Sequence, residues 1–271
     1  MRAYETISTA YFVLLALGAL LAPVSKARQA LGCVSALAAA LFVAASSTRG
    51  GGMRDWAPLA YIAAGYWIPA LLVTGTAAHP LLDTRNEGIT GTITRFERWL
   101  VRIDTALRQR LPTLPAPAVP VVEIAYLACY PLVPLGFLVV FIAGTPEQMN
   151  HFWSAVLVSG YVCYGTLPWL QSRPPRLLAP APHTPHSVTH FNVFVLGRIS
   201  HGWNTFPSGH AAMSFAVAAA LAPVSLPAAV AAGVVAAGVA IGAAAGRYHY
   251  AVDVVLGAVV AVVSGVVARG L

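Results

Sequence analysis

Two short polar segments stand out in a chain that otherwise carries few polar side chains. Residues 206–210 have the sequence FPSGH, and residues 247–253 have the sequence RYHYAVD. Between them, residues 211–222 hold one polar side chain, Ser214, and residues 226–245 hold none. A helical hairpin that turns near residues 223–227 would therefore bring both polar segments to the same face of a membrane.

The first segment has the features of an anion-binding helix start. Pro207 and Ser208 are typical of a helix N-terminus, and Gly209 allows a ligand to approach the backbone closely. Free N–H groups at a helix N-terminus bind anions, so His210 is expected to neighbour a bound phosphate. The apolar stretch after His210 is short for a span of about 20 residues. Either His210 lies below the interface, or its helix continues through Pro223.

The second segment combines a histidine with a carboxylate and a cation. His249 and Asp253 are four residues apart and share a helix face. A carboxylate in that position can orient an imidazole and stabilise its protonated form. Arg247 adds a permanent planar cation that suits phosphate oxygens. These residue types favour phosphoryl transfer through a histidine.

Each segment taken alone also has a purely structural interpretation. A Ser-Gly-His sequence in a loop is usually only a turn, and a His–Asp pair at a helix start is often simple capping. The functional interpretation is favoured because two such segments are expected on one face of a chain with few charges.

At these residues the chain resembles the type 2 phosphatidic acid phosphatases, the PAP2 superfamily, which are related to vanadium haloperoxidases. The motifs of that family are K-x6-R-P, P-S-G-H and S-R-x5-H-x3-D. Residues 207–210 match the second motif in full, His249 and Asp253 match the end of the third, and residues 173–174 match the end of the first. The resemblance covers about residues 95–271.

The resemblance implies a role for each matched side chain. His249 would be the nucleophile that becomes phosphorylated, Asp253 would orient it, and His210 would be the general acid for the leaving group. The residues expected to hold the phosphate are Arg173, Arg176, Ser208, Gly209 and Arg247. No metal and no cofactor is expected.

Two positions depart from the family motifs. Thr166 stands where the family has lysine, and Ala243 stands where it has arginine, while Arg247 lies only two residues before His249. The compact RYHYxxD form and the RPPR sequence of residues 173–176 look more like the inositol phosphorylceramide synthases and sphingomyelin synthases. Those enzymes move a phospho-headgroup to an alcohol rather than to water.

The composition is that of a polytopic membrane protein. Of 271 residues, 58% are hydrophobic and 9% are charged, against about 25% charged residues in soluble domains. The net charge of +7 fits contact with anionic lipid headgroups. Nucleic-acid binding is excluded because no basic domain lies outside the apolar stretches. The three cysteines all fall in apolar stretches, so no disulfide is expected.

The apolar stretches predict an all-α membrane helix bundle. About eight spans are predicted, near residues 4–22, 30–45, 57–74, 121–143, 152–170, 208–222, 226–245 and 250–268. The first two form a predicted N-terminal transmembrane hairpin, residues 1–50. Residues 51–271 form the predicted PAP2-like catalytic domain with a six-helix core.

Two segments are not predicted to span. Residues 92–111 are charged yet periodic, which predicts an amphipathic helix in the interface plane; a helix that simply covers the end of the bundle is the alternative. On this helix, Asp104 is expected to be a solvated partner of Arg108 or Arg102. Residues 171–207 are rich in proline and are predicted to form a cap loop over the site.

Other polar residues have weaker functional signals. Glu123 begins an apolar span, with Tyr126 and Tyr130 one and two turns on. A carboxylate at membrane depth usually faces a cavity, so the three are predicted to line a substrate cavity; the alternative is a hydrated interfacial glutamate. Four histidines of the cap loop are spaced like metal ligands: His183, His186, His190 and His201. No Cys, Asp or Glu lies near them, so the signal for a metal site is weak.

The combined prediction is an integral membrane lipid phosphatase or phosphotransferase that works through a phosphohistidine on a membrane lipid. Phospho-headgroup transfer to an alcohol is the alternative within enzymes. A non-catalytic lipid carrier or flippase is the alternative from another class, and a vanadate-dependent peroxidase is disfavoured by the apolar bundle.

The resemblance places the site on the extracytoplasmic side of a bacterial-type plasma membrane. The positive-inside rule, applied to all Lys and Arg residues, favours the cytoplasmic side. Most of those charges belong to the site or to a long loop, where the rule is weakest.

Overall fold

All regular secondary structure in the described residues is helical. The computed structural model describes residues 1–74, 94–110, 114–178 and 187–271, and contains no β-strand within them. This confirms the all-α prediction. The helices are α1 Ala3–Leu21, α2 Lys26–Ser47, α3 Gly52–Trp56, α4 Pro58–Ala70, α5 Arg95–Arg108, α6 Ala118–Leu127, α7 Cys129–Ala143, α8 Pro146–Gly165, α9 Pro175–Leu178, α10 Ser187–Ile199, α11 Gly209–Leu221, α12 Leu226–Ala245 and α13 Ala251–Arg269.

Four of these helices, α1, α2, α12 and α13, are long and apolar enough to cross a membrane. The bent pair α6 and α7 supplies a fifth if it is counted as one span. The stretch predicted near residues 208–222 corresponds to α11, a shorter apolar helix that ends at Leu221. The helix after His210 therefore does not continue through Pro223.

The predicted span near residues 121–143 is broken into two helices. α6 and α7 meet at an angle of 56°. Pro131, in the first turn of α7, has no N–H to donate to Leu127, and its ring clashes with the carbonyl four residues earlier. This proline explains why the helix breaks at residue 128, although the whole stretch is apolar.

α11 lies at the centre of the bundle, where it packs against α7, α8, α12 and α13. Its small side chains allow this close packing, since Ala211, Ala212 and Ala216 are fully buried. One large apolar core runs through the molecule, and a smaller cluster around Tyr126 and Tyr248 lies beside the polar segments. The cysteines of the chain are free.

The N-terminal hairpin shares the core of the other helices. The ring of Tyr11 on α1 stacks on Tyr161 of α8, with 3.9 Å between ring centroids. The Tyr161 hydroxyl donates to Ser8 Oγ at 3.0 Å, and the Tyr11 hydroxyl donates to Gly65 O at 3.0 Å. The division into a hairpin of residues 1–50 and a catalytic domain stays a prediction.

A buried ionic cluster ties the N-terminus to the end of the bundle opposite the polar segments. Arg54 donates to both carboxylate oxygens of Glu5, at 2.6 and 2.8 Å, and Glu5 is fully buried. Arg2 pairs with Asp55, and Ala3 N donates to Asn150 Oδ1 at 2.9 Å. The linkers near residues 50 and 147 therefore meet the N-terminus at one end of the bundle.

The predicted interfacial helix exists as α5, but its buried face carries two carboxylates. Thr94 and Glu97 form a capping box at its start. Glu97, Leu100 and Asp104 are buried, whereas Trp99 is 43% exposed. The prediction that Asp104 is solvated is wrong, because the end of the bundle covers it; its pairing with Arg108, at 2.7 Å, is confirmed.

The predicted cap loop contains helical structure that the sequence analysis did not anticipate. α9 and the thirteen-residue α10 lie within residues 171–207. α10 packs on α6, where Asn192 Nδ2 donates to Glu123 O at 2.6 Å. Residues 92–93, 111 and 179–186 of the predicted segments lie outside the described residues.

Candidate active site

The end of α12 forms the turn that presents His249. The N–H groups of Tyr248 and His249 both donate to Ala243 O at 3.0 Å, which closes the helix. Arg247 in this turn has φ +57°, in the left-handed region that favours glycine. Thus Ala243, at a position where the family motif has arginine, serves the site through its backbone carbonyl.

Three helix ends meet around this turn. Ser208 caps α11 by accepting a hydrogen bond from Ala211 N, and Ser208 N donates to Asp253 O in the first turn of α13 at 3.0 Å. The helices can approach this closely because residue 257 is glycine: a Cβ there would lie 2.6 Å from Ser208 O. The two polar segments are therefore joined directly through the backbone.

The side chains of His210, His249 and Asp253 are neighbours in that order. His249 Nε2 is 3.2 Å from His210 Nδ1, and His249 Nδ1 is 3.6 Å from Asp253 Oδ2. His249 is 4% exposed and Asp253 is fully buried. One ring nitrogen of His249 thus faces the carboxylate, which leaves Nε2 as the nitrogen that can act as a nucleophile.

The surroundings of His249 keep its imidazole neutral. Burial, together with the nearby Arg176 guanidinium, lowers the pKa of His249 to about 3. Near pH 7 the ring therefore retains a lone pair for attack on an electrophile. A charge placed on this ring during a reaction would be stabilised by the carboxylate of Asp253.

A narrow cavity opens between the two histidines and Arg176. Its volume is about 20 Å³, and its lining also includes Tyr66, Tyr126 and Tyr248. A space of this size holds about one water molecule. A phosphorus atom attacked from about 3 Å and a leaving oxygen hydrogen-bonded to His210 do not fit within a 3.2 Å gap between the rings. A phosphate ester would fit between the two rings only if the histidines moved apart.

Arg176 lies at this cavity and has no ion-pair partner among the described residues. Its guanidinium lies 4.4 Å above the centroid of the Tyr248 ring, and that ring stacks on Tyr126 with centroids 4.5 Å apart. Its buried Nε and Nη1 atoms have no hydrogen-bond partner in the part of the chain that the structure describes. Burial lowers the pKa of Arg176, which reflects a cation that lacks a compensating charge.

A comparison with known families identifies the superfamily of the chain. The model of the PAP2 superfamily matches residues 91–267, well over half of the 271 residues. The chain belongs to the PAP2 superfamily. Its members are generally phosphatases or phosphotransferases. No curated protein and no solved structure matches the chain.

The other two arginines predicted to hold phosphate in this PAP2 protein do not line the cavity. Arg173 is paired with Glu97 through its Nε and Nη2 atoms, at 2.8 and 2.9 Å. Arg247 lies beside Arg108, and its buried Nε has no hydrogen-bond partner among the described residues. Of the three predicted arginines, Arg176 is the one that lines the cavity.

Ser208 and Gly209 of the PAP2 motif have clear structural roles. The Ser208 hydroxyl caps α11, and Gly209 N donates to Thr205 Oγ1 at 3.3 Å. A Cβ on Gly209 would lie 2.6 Å from Cε1 of the Tyr164 ring. The glycine at this position therefore makes room for a tyrosine ring. From the sequence, it was expected to let a ligand approach the backbone.

The three residues predicted for a substrate cavity are divided between two places. Tyr126 lines the cavity, and the ring of Tyr130 meets His210 edge-on with centroids 5.6 Å apart. The buried Glu123 instead accepts a hydrogen bond from Thr189 of α10 at 2.8 Å. Glu123 thus connects α6 to the cap segment.

Some residues at the site carry no motif signal. Asn204 Nδ2 donates to Asp253 Oδ2 at 2.8 Å, and Asp104 Oδ1 accepts from Ala251 N, the first residue of α13, at 2.8 Å. Asn204 lies just before the first polar segment, and this closeness in sequence is the signal that could have identified it. Asp104 lies 147 residues from its partner, so local spacing carries no signal for it.

The histidines of the cap segment do not gather around a metal site in the described residues. No group of three or more His, Cys, Asp or Glu side chains with metal-binding geometry occurs there. His201 stacks on Tyr66, with centroids 4.1 Å apart, and accepts from Trp203 N. His183 and His186 lie outside the described residues.

Proposed function

We propose that this PAP2 protein is a membrane lipid phosphatase or phosphotransferase that works through a phosphohistidine at His249. The observation that carries the proposal is the line from Asp253 through His249 to His210, with separations of 3.6 and 3.2 Å. Arg176, His210 and His249 line the same cavity. Membership of the PAP2 superfamily supports the same chemistry.

In the first step, His249 Nε2 attacks phosphorus, and the bond from phosphorus to the lipid-side oxygen breaks. His210, which takes up a proton when the phosphate anion binds beside it, delivers that proton to the leaving oxygen, so the alcohol leaves neutral. Asp253 stabilises the charge on the His249 ring. Arg176 faces the equatorial phosphoryl oxygens, whose charge spreads in the transition state.

In the second step, water or an alcohol attacks the phosphohistidine. His210 takes the proton of the attacking hydroxyl, and the electron pair of the phosphorus–nitrogen bond returns to His249. The products are the released lipid alcohol and either inorganic phosphate or a new phosphate ester. The side chains of this chain supply every group that these steps use, so we expect turnover without added metal.

We propose that the substrate is a membrane lipid because of where the site lies. The catalytic side chains stand at the ends of α11, α12 and α13, two of which are long and apolar enough to span. Such a site lies at the boundary of the hydrocarbon core, where a phosphate-bearing headgroup is held while its acyl chains stay in the bilayer. The net charge of +7 suits anionic headgroups.

Transfer of a phospho-headgroup to an alcohol is a second candidate. The forms RPPR and RYHYxxD resemble those of the inositol phosphorylceramide synthases. The structure adds that Arg176, the last residue of RPPR, is the predicted arginine that lines the cavity. That side chain lies outside the K-x6-R-P motif of the phosphatases.

A doubly labelled substrate separates the two reactions. Purified protein would be mixed, in EDTA-containing buffer, with a ³²P-labelled lipid phosphate or with a phospholipid that carries ³²P and a ³H headgroup. Each reaction would be quenched with base, in which phosphohistidine survives. If the protein carries only ³²P and inorganic phosphate is released, the protein is a phosphatase. If the protein treated with the phospholipid carries both ³²P and ³H, it transfers the headgroup.

The His249→Ala variant is the matched control, since it should insert and bind lipid but take up no label. Orthovanadate should inhibit, because it mimics five-coordinate phosphorus bonded to His249. Lipid binding without adduct or turnover would support a carrier instead. Loss of activity in EDTA that a divalent metal restores would contradict the metal-free mechanism.

We propose that the site faces the extracytoplasmic side. The site loops gather at one end, and the N-terminus gathers with the linkers near residues 50 and 147 at the other. A cysteine at Thr184 in an otherwise cysteine-free protein should react with an impermeant thiol reagent on intact cells. Labelling only after membrane rupture would reverse this orientation.

A further inference from the structure

We propose that Asn204 is a positioning residue that holds the Asp253 carboxylate in the orientation in which it faces His249. The inference rests on the proposed function, because it gives Asn204 a part in forming the phosphohistidine. Asn204 belongs to none of the matched motifs, and it lies 49 residues from Asp253 in the chain.

The contacts of Asp253 show why Asn204 matters. Oδ2 of Asp253 accepts from Asn204 Nδ2 at 2.8 Å and from Tyr250 N at 3.2 Å, while His249 Nδ1 lies at 3.6 Å. Its other oxygen, Oδ1, has no hydrogen-bond partner in the described residues. Asn204 therefore makes the shortest contact on the oxygen that faces the nucleophile.

Asn204 is itself held rigidly. Its side chain is buried, and its second amide hydrogen is directed to Ser172 Oγ at 3.0 Å. Its backbone N–H donates to Ser172 O at 2.9 Å, which forms an isolated bridge between the two segments. The amide is thus anchored on one side by Ser172 and presents its remaining donor to the carboxylate.

Removing that donor leaves a fully buried carboxylate with a weaker set of hydrogen bonds. Buried polar groups that lose a partner are costly, so the carboxylate would rotate or take up a proton. Either change would loosen the orientation of His249 and weaken the stabilisation of its charged form. Binding of the substrate phosphate, which depends on Arg176, would be little affected.

The test compares two Asn204 variants with a matched control, using dioleoyl phosphatidic acid in detergent micelles. We expect Asn204→Ala to lower kcat about 10–100-fold, the scale found when an outer hydrogen-bond partner of a metal-ligating histidine or carboxylate is removed, with KM within about twofold. Asn204→Asp keeps the shape of the side chain but replaces the donor with an acceptor beside Asp253, so kcat should fall further than in Asn204→Ala. Asn150→Ala makes the same substitution at the opposite end of the bundle, where Asn150 Oδ1 accepts from Ala3 N at 2.9 Å, and should keep near-normal kcat.

The order of the variants separates positioning from a purely structural role. If Asn204 served only to fill space, Asn204→Asp would be milder than Asn204→Ala, and that order would overturn the inference. Wild-type kcat in Asn204→Ala would overturn it as well. If Asn204→Ala does not fold, Asn204→Ser replaces it, and the hydroxyl donor should give an intermediate kcat.

A second measurement does not depend on turnover. Orthovanadate bonded to His249 senses the orientation of the ring, whereas inorganic phosphate does not. Asn204→Ala should weaken inhibition by vanadate about 10-fold or more and leave inhibition by phosphate unchanged; equal weakening of both would overturn the inference. Absence of any phosphohistidine in the wild-type protein would instead refute the proposed function.

Discussion

The ion pair between Glu97 and Arg173 should be a main support of the site, and Glu97→Gln tests this directly. Glu97 is 2% exposed, and its carboxylate accepts from Arg173 N, Nε and Nη2 at 3.0, 2.8 and 2.9 Å. Glutamine has the same size, but it carries no charge and places an amide donor against the guanidinium. The substitution therefore leaves a mostly buried Arg173 without its counter-charge.

Breaking a buried pair by removing one partner costs about 3–5 kcal/mol. For a chain of this size that loss corresponds to a fall in the thermal midpoint on the order of 10 °C. The assay is thermal unfolding of purified protein in detergent. Arg102→Gln is the control, because Arg102 lies on the exposed face of α5 and should change stability by less than about 0.5 kcal/mol.

The effect should depend on pH in a defined direction. Burial raises the pKa of Glu97, but hydrogen bonds from Arg173 and Thr94 outweigh it and hold the pKa below its ordinary value of 4.5. A depressed pKa means that the stabilisation is present above the ordinary value and is lost as the pH falls through the lowered one. The midpoints of wild type and Glu97→Gln should therefore converge as the pH falls below 4.5.

The double variant Glu97→Gln/Arg173→Met shows what Arg173 does for function. It leaves no buried charge unpaired, so it should be less destabilised than the sum of the two single variants. If Arg173 only anchors the site, activity should recover with stability. If Arg173 also binds phosphate, as the resemblance implies, the double variant should stay impaired with a raised KM. A Glu97→Gln midpoint within a degree or two of wild type would refute the reasoning about the pair.

Three further outcomes are expected. His210→Ala should retain more activity on an aryl phosphate than on an alkyl lipid phosphate, because a good leaving group needs less help from an acid; equal losses would count against the assignment. Gly209→Ala should force the Tyr164 ring to move, costing about 1–3 kcal/mol of stability and reducing turnover, and Tyr164→Leu in the same chain should restore both. Normal stability in Gly209→Ala would show that the packing account is wrong. Arg247→Gly should raise stability by about 1 kcal/mol, since it relieves a left-handed backbone, and should leave turnover near wild type because Arg247 does not line the cavity; a large loss of turnover would place Arg247 at the phosphate, as the resemblance implies.

Local sequence patterns predicted the parts of this protein that local physics determines. An unbroken apolar stretch between Ser225 and Gly246 predicted α12 with the bounds that the structure shows. The apolar hairpin between the two polar segments predicted that they lie on one face of the bundle, and the structure brings His210 and His249 within 3.2 Å of each other. Such features depend on helix period and apolar content, both of which can be read from neighbouring residues.

The partners of the charged residues were decided only by the tertiary structure. Arg173 matches a phosphate-binding motif, yet its guanidinium is taken by Glu97, 76 residues away. Asp104 lies in a charged segment typical of a solvated helix, yet it is buried against the start of α13. A single apolar stretch gave no sign of the 56° break between α6 and α7 beyond its prolines. Which charge is buried, and beside which partner, depends on how distant helices pack, and no spacing within one segment encodes that.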